Sequence, residues 1–265
     1  MQFPFIDFKI TQFFHFLVNL MIISQHQHDL ETATGTMRTY RYSPIEPGNY
    51  PCLIFYSEIF QQTAPIARSA KILAGHGFHV LVPEVFHELN PIGTVLGYDD
   101  AGKEKGNNDK WTKPLEAHDS DTDALIKFAK DLEGCNGNVG AIGVCIGGHL
   151  AYRAALNPNI NSAFCLYPTD IHSDTLPANK GNNSLENINN IKGEIHFIFG
   201  KQDPHVPVEG RVKIYQACQQ SGINFQWQEV NAQHAFMRDE GERYDPALAL
   251  LMYQQAVSLF SRTLA

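Results

Sequence analysis

The sequence has no CxxC pair, no run of basic residues, and no apolar stretch of the roughly 18 residues that a membrane-spanning helix requires. Each absence removes a class of function. Without paired cysteines there is no zinc ribbon and no dithiol redox motif. The five cysteines (Cys52, Cys135, Cys145, Cys165 and Cys218) are odd in number and irregularly spaced. That pattern suits free thiols in a reducing compartment, so a cytoplasmic location is expected rather than a disulfide framework. Basic clusters are missing and 28 acidic residues face 20 basic ones, for a net charge of −8. Phosphate contacts need clustered Lys and Arg, so no nucleic-acid partner is expected, and no membrane partner either. What is present is a globular composition: 43% hydrophobic and 18% charged over 265 residues, enough to bury a large core.

Residues 1–36 read differently from the rest. The apolar run over 13–23 is broken by His15 and Asn19, and Asp7 and Lys9 precede it. Ile22-Ile23-Ser24-Gln25 offers no small-residue cleavage site, which argues against a secretory signal. The stretch is read as an N-terminal extension, disordered or lying upstream of a true start at Met21 or Met37. Residues 37–265 are read as a single domain.

From Met37 onward, short apolar runs alternate with segments of helical period. The spacing predicts strands over 37–42, 52–56, 78–82, 139–144, 162–166, 195–199 and 225–230. It predicts helices over 64–75, 119–132, 147–156, 206–220 and 246–264. This alternation implies an α/β fold, a mostly parallel central sheet with helices on both faces. Two stretches rich in Gly, Asn, Asp and Pro, 88–111 and 169–190, are expected to be long loops near a site.

The sharpest local signal is Gly143-Val144-Cys145-Ile146-Gly147-Gly148, between a predicted strand and a predicted helix. It has the form of a nucleophile elbow, with Cys where Ser usually stands. A residue at such a turn sits at a helix N-terminus, where the dipole favours a thiolate. The backbone N–H of Ile146 then faces a developing oxyanion. An inert thiol in a Gly-rich turn is the competing reading. Asp203 follows the strand over 195–199, and His234 follows the strand over 225–230. Nucleophile, acid and histidine thus occur in the chain order of this hydrolase class, each at a strand end. His205 is a rival base. His26 and His28 form an HxH pair, but no histidine set has ligand spacing, so neither a metal nor a cofactor is expected.

Together these residues resemble the dienelactone hydrolase (carboxymethylenebutenolidase) family of the α/β-hydrolase superfamily. The resemblance covers about residues 37–265. It rests on Ser57-Glu58-Ile59-Phe60, the elbow around Cys145, Gly200-Lys201-Gln202-Asp203, His234-Ala235-Phe236 and Arg243-Tyr244-Asp245-Pro246-Ala247. It implies an α/β-hydrolase fold with Cys145 as nucleophile, His234 as base and Asp203 as its partner. It further implies the N–H groups of Ile59 and Ile146 as oxyanion donors, Glu58 in contact with the resting thiol, and Arg238 in contact with Glu58 and a substrate carboxylate. The implied substrate is a small ester or lactone, cleaved through a thioester by a monomer or weak homo-oligomer. One departure stands out: Glu88 aligns where the family's name-giving member has a second carboxylate-binding arginine. An acid in the pocket loop would repel an anionic substrate, with His87 or Tyr98 as substitute contacts. Two other functions are consistent with the residues. One is a non-catalytic member of the fold that binds a small ligand. The other is thiol redox chemistry at Cys145, although no resolving cysteine lies beside it in sequence.

Overall fold

The computed structural model describes residues 21–177, 181 and 183–265, so the reading of residues 1–20 lies outside the described residues. Eight strands form one sheet: β1 (Ile23–Thr32), β2 (Gly35–Pro44), β3 (Tyr50–Tyr56), β4 (His79–Pro83), β5 (Cys135–Val144), β6 (Ile160–Leu166), β7 (Glu194–Gly200) and β8 (Phe225–Val230). Their spatial order is β1-β2-β4-β3-β5-β6-β7-β8. β2 pairs antiparallel with β1 and β4, and every other pairing is parallel. The helices are α1 (Ala64–Ala74), α2 (Asp100–Thr112), α3 (Leu115–Asp131), α4 (Ile146–Ala155), α5 (Val208–Ser221) and α6 (Pro246–Thr263).

The pleat divides the sheet between two cores, because successive side chains point to opposite faces. In β3, Cys52, Ile54 and Tyr56 join Leu125 of α3, Leu150 of α4 and Ile214 of α5. Leu53 and Phe55 join Leu73 of α1 and Met252 and Phe260 of α6. Burial on both faces explains why β3 reads as a continuous apolar run, and each such Leu, Ile or Phe contributes about 1.5–3 kcal/mol by leaving water.

Two elements were not expected. β1 pairs with β2 along ten residues, from Ile23 opposite Pro44 to Thr32 opposite Gly35. The segment expected to be a loose extension therefore supplies an edge strand over 23–32, and residue 37 falls inside β2. The second is α2, which occupies part of the expected loop over 88–111. Its start is fixed by Asp99, whose side chain accepts a hydrogen bond from the Gly102 N–H at 2.8 Å. The other expected elements appear with ends shifted by a few residues, the largest shifts being at β5, which begins at Cys135, and α3, which begins at Leu115.

The parallel strands place their carboxyl ends along one edge of the sheet, where ligands bind in such folds. At that edge the β5–α4 turn is closed by two glycines. A Cβ on Gly143 would stand 1.9 Å from the Gly147 carbonyl oxygen. One on Gly147 would stand 2.2 Å from the Tyr56 oxygen and 2.4 Å from that of Ser57. Both neighbours of Gly147 are backbone atoms at the end of β3, which cannot yield without moving the sheet. Gly147→Ala is therefore expected to destabilise the fold by about 3 kcal/mol. Urea unfolding checks this, and an unchanged midpoint would contradict it.

Candidate active site

Cys145 caps α4 with φ 61° and ψ −125°, a conformation that L residues rarely adopt. The turn lifts its side chain out of the sheet, so that it is partly exposed while its neighbours Val144 and Ile146 are buried. Cys52, Cys165 and Cys218 are buried in the core, and burial raises their thiol pKa values. Cys135 is also raised by burial. These four are poor thiolates.

Asp203 lies in the turn after β7 and His234 in the turn after β8, both buried. His234 Nδ1 lies 2.7 Å from Asp203 Oδ2. The second carboxylate oxygen, Oδ1, accepts the His205 backbone N–H at 2.8 Å. The His234 side chain rather than that of His205 therefore holds the carboxylate, and it lines the same cleft as Cys145. Burial works most strongly against a charged His234. Attraction to Cys145 comes next, followed by the hydrogen bonds to Asp203 and Cys145, and together these push its pKa up to about 10. The sequence thus brings Cys145, His234 and Asp203 together in the expected order.

Ile59 follows β3, and Ile146 opens α4. The Ile146 N–H is in the first turn of a helix, where no intrahelical acceptor exists. The Ile59 N–H donates to no described backbone acceptor. Ile59 borders the same cleft as Cys145 and His234.

Glu58 is buried, and burial raises its carboxyl pKa, with Arg238 and then a Tyr98 hydrogen bond holding the rise back. The Tyr98 hydroxyl donates to Glu58 Oε1 at 3.1 Å, and Arg238 Nη1 stands 3.6 Å from Oε2, the Arg238–Glu58 contact that the resemblance implies. Glu58 borders the same cleft as Cys145. The Arg238 guanidinium lies 4.3 Å from the centre of the Tyr98 ring and 5.6 Å from that of Phe60.

The cleft around these groups encloses about 230 Å³. Its far wall is the polar face of α2 and the residue before it: Asp99, Asp100, Lys103, Asn107 and Lys110. Gly106 lets α2 lie directly on Ile59, since a Cβ there would be 2.7 Å from the Ile59 carbonyl oxygen. Lys110 pins the helix to Asp170 at 3.1 Å. The sequence placed 88–111 and 169–190 near a site, but as loops, and assigned no role there to these side chains, to Asp170 or to Arg243. The signal available was Asp99 as a helix cap, followed by polar residues at 103, 107 and 110, a helical spacing without an apolar stripe.

Glu88 requires a correction, because it does not border the cleft. Its carboxylate accepts from the Thr34 hydroxyl at 2.6 Å and pairs with Lys113 Nζ at 2.8 Å. His87 is turned the same way, 3.1 Å from Asp121. His87, Glu88 and Asp121 are close enough to suggest a metal site. The buried Lys113 ammonium already serves that cluster as its cation, bonded to Glu88, Asp121 and the Val85 carbonyl. The anticipated repulsion of an anionic substrate by Glu88 is therefore absent. Among the described residues no helix is long and apolar enough to cross a membrane.

The model of the dienelactone hydrolase family matches residues 37–264. A Saccharomyces cerevisiae protein bearing the carboxymethylenebutenolidase name is 39% identical over 241 residues, 86% of this chain and 88% of that protein. The carboxymethylenebutenolidase of Pseudomonas putida is 24% identical over 213 residues, 80% of this chain and 85% of that protein. Among solved structures, a Klebsiella pneumoniae protein bearing the dienelactone hydrolase name superposes with a TM-score of 0.80 at 19% identity, covering 91% of this chain and 99% of that one.

Proposed function

The chain belongs to the dienelactone hydrolase family, a hydrolase of esters or lactones, and on that premise we propose that it cleaves a small ester or lactone with Cys145, His234 and Asp203 through a thioester. The observation that carries this reading is Cys145 at the head of α4 with φ 61°, sharing one cleft with a His234 whose Nδ1 is 2.7 Å from Asp203.

The Cys145 sulfur attacks the acyl carbon, and the carbonyl electron pair moves onto oxygen. The N–H groups of Ile59 and Ile146 hold that oxyanion. The intermediate collapses, the acyl carbon–oxygen bond breaks, and the His234 proton passes to the leaving alkoxide. In a lactone the alcohol so formed stays tethered to the acyl group. His234, now neutral, takes a proton from water, and the hydroxide attacks the thioester. The carbon–sulfur bond breaks, the acid departs, and the thiolate–imidazolium pair is restored. Asp203 keeps the ring in the tautomer that both steps require.

Arg238 supports acceptance of a substrate carboxylate, because its guanidinium borders the cleft and meets Glu58 only at 3.6 Å. A panel of activated esters and small lactones, anionic and neutral, tests the reading. Turnover of one or more members is expected, and no turnover on any of them would overturn it in favour of a binding or redox role.

A further inference from the structure

His205 borders the cleft beside the triad but takes no part in the proposed reaction. It touches the His–Asp pair at both members. Its backbone N–H holds Asp203 Oδ1 at 2.8 Å, while its side chain meets the His234 ring edge-on, with centroids 4.6 Å apart and planes at 65°. A second ring, Tyr167, meets His234 at 5.0 Å and 69°. The two neighbours differ in kind. Tyr167 is buried in the core, whereas His205 is exposed toward the cleft and able to gain a proton from solvent.

Four charged or titratable groups lie around His205. His234 and Arg243, from the connection between β8 and α6, and Lys110, from α2, line the same cleft, and Asp203, from its own turn, accepts its backbone N–H. Partial burial, then the charge on His234, then Lys110 and Arg243 keep the ring neutral to lower pH than an ordinary histidine, against the pull of Asp203. A neutral ring offers an edge contact to the His234 imidazolium, and a protonated one places a like charge beside it.

We propose that His205 is a positioning residue of the triad: its neutral ring braces the His234 imidazole between Asp203 and Cys145, and its protonation in mild acid releases that brace by repelling the His234 imidazolium. The inference rests on the proposed pairing of Cys145 with His234. It makes the acid limit of the enzyme a property of two histidines, one reacting and one supporting.

The test compares wild type, His205→Phe and His205→Ala by two readouts. One is the NMR signal of the His234 ring against pH, without substrate. The other is kcat and KM for an activated ester. Phenylalanine keeps the ring contact but cannot be charged, so a mild-acid step in the His234 signal should be present in wild type and lost in His205→Phe. Alanine removes the brace, so His205→Ala should lose about tenfold in kcat with KM nearly unchanged. A His234 signal whose pH course in His205→Phe overlays wild type overturns the role of His205 charge. A His205→Ala kcat equal to wild type overturns the brace. The ring readout needs no turnover, so loss of the step in a protein that cleaves no ester sinks the hydrolytic reading and leaves the role of His205 supported.

Discussion

Cys145→Ala should lower kcat/KM for an activated ester by about 10⁴-fold while leaving the protein folded. The two halves of this result have separate causes. The loss of rate follows from removal of the sulfur that the proposed mechanism uses to attack the acyl carbon. The fold is retained because the Cys145 side chain, which packs against both cores, is partly exposed and loses only its sulfur. Its φ of 61° strains alanine as much as cysteine, so the substitution adds no new backbone conflict. The variant should also change His234. Cys145 is the largest influence that favours its protonation, and without it burial dominates and the pKa falls. Steady-state kinetics with a thermal melt checks the first claim, and histidine ring NMR the second. A Cys145→Ala protein that hydrolyses esters at the wild-type rate would remove this residue from the chemistry.

Asp203→Asn should lower kcat by about 10³- to 10⁴-fold with a smaller effect on KM. The carboxylate accepts from His234 Nδ1 at 2.7 Å in a buried site. An amide can turn its own N–H groups toward that nitrogen and fix the wrong tautomer, leaving no base next to Cys145. The same change alters the pH dependence of stability. The His234 pKa is raised in the folded state, so its protonation stabilises the fold fully below about 6.5, its ordinary value, and that contribution is lost as pH rises through about 10. Asp203→Asn weakens the attraction behind the shift, so its melting temperature should fall less than that of wild type across this window. Melts recorded at several pH values decide the matter, and parallel curves would mean that Asp203 does not hold the charge on His234.

The parts of the site legible in the sequence are those that backbone geometry enforces. Gly143 and Gly147 mark the Cys145 turn because a side chain at either would strike backbone at about 2 Å. Asp203 and His234 could be placed because they follow β7, a largely apolar buried strand, and β8, where Phe225 and Trp227 alternate with glutamines. β1 was not legible, since Ser24, Gln25, His26, Gln27 and His28 show no apolar alternation and the strand lies at the edge of the sheet. α2 escaped for a related reason. It carries two glycines and little apolar surface, and it is held by Lys110 to Asp170 and by Asn90 to Asp109 rather than by a hydrophobic stripe. Glu88 was placed in the pocket because alignment gives a position along the chain but no direction for a side chain. Its direction is set by Lys113, which lies 25 residues further on and inside the fold.

The central claim is a covalent one, and mass spectrometry tests it most directly. The protein is mixed with an activated ester, quenched in acid within a turnover, and digested. The peptide carrying Cys145 should gain the mass of the acyl group as a thioester, and the adduct should disappear as the acid product forms. Product released at the full rate with Cys145 unmodified throughout, or with the acyl group on another residue, would contradict it.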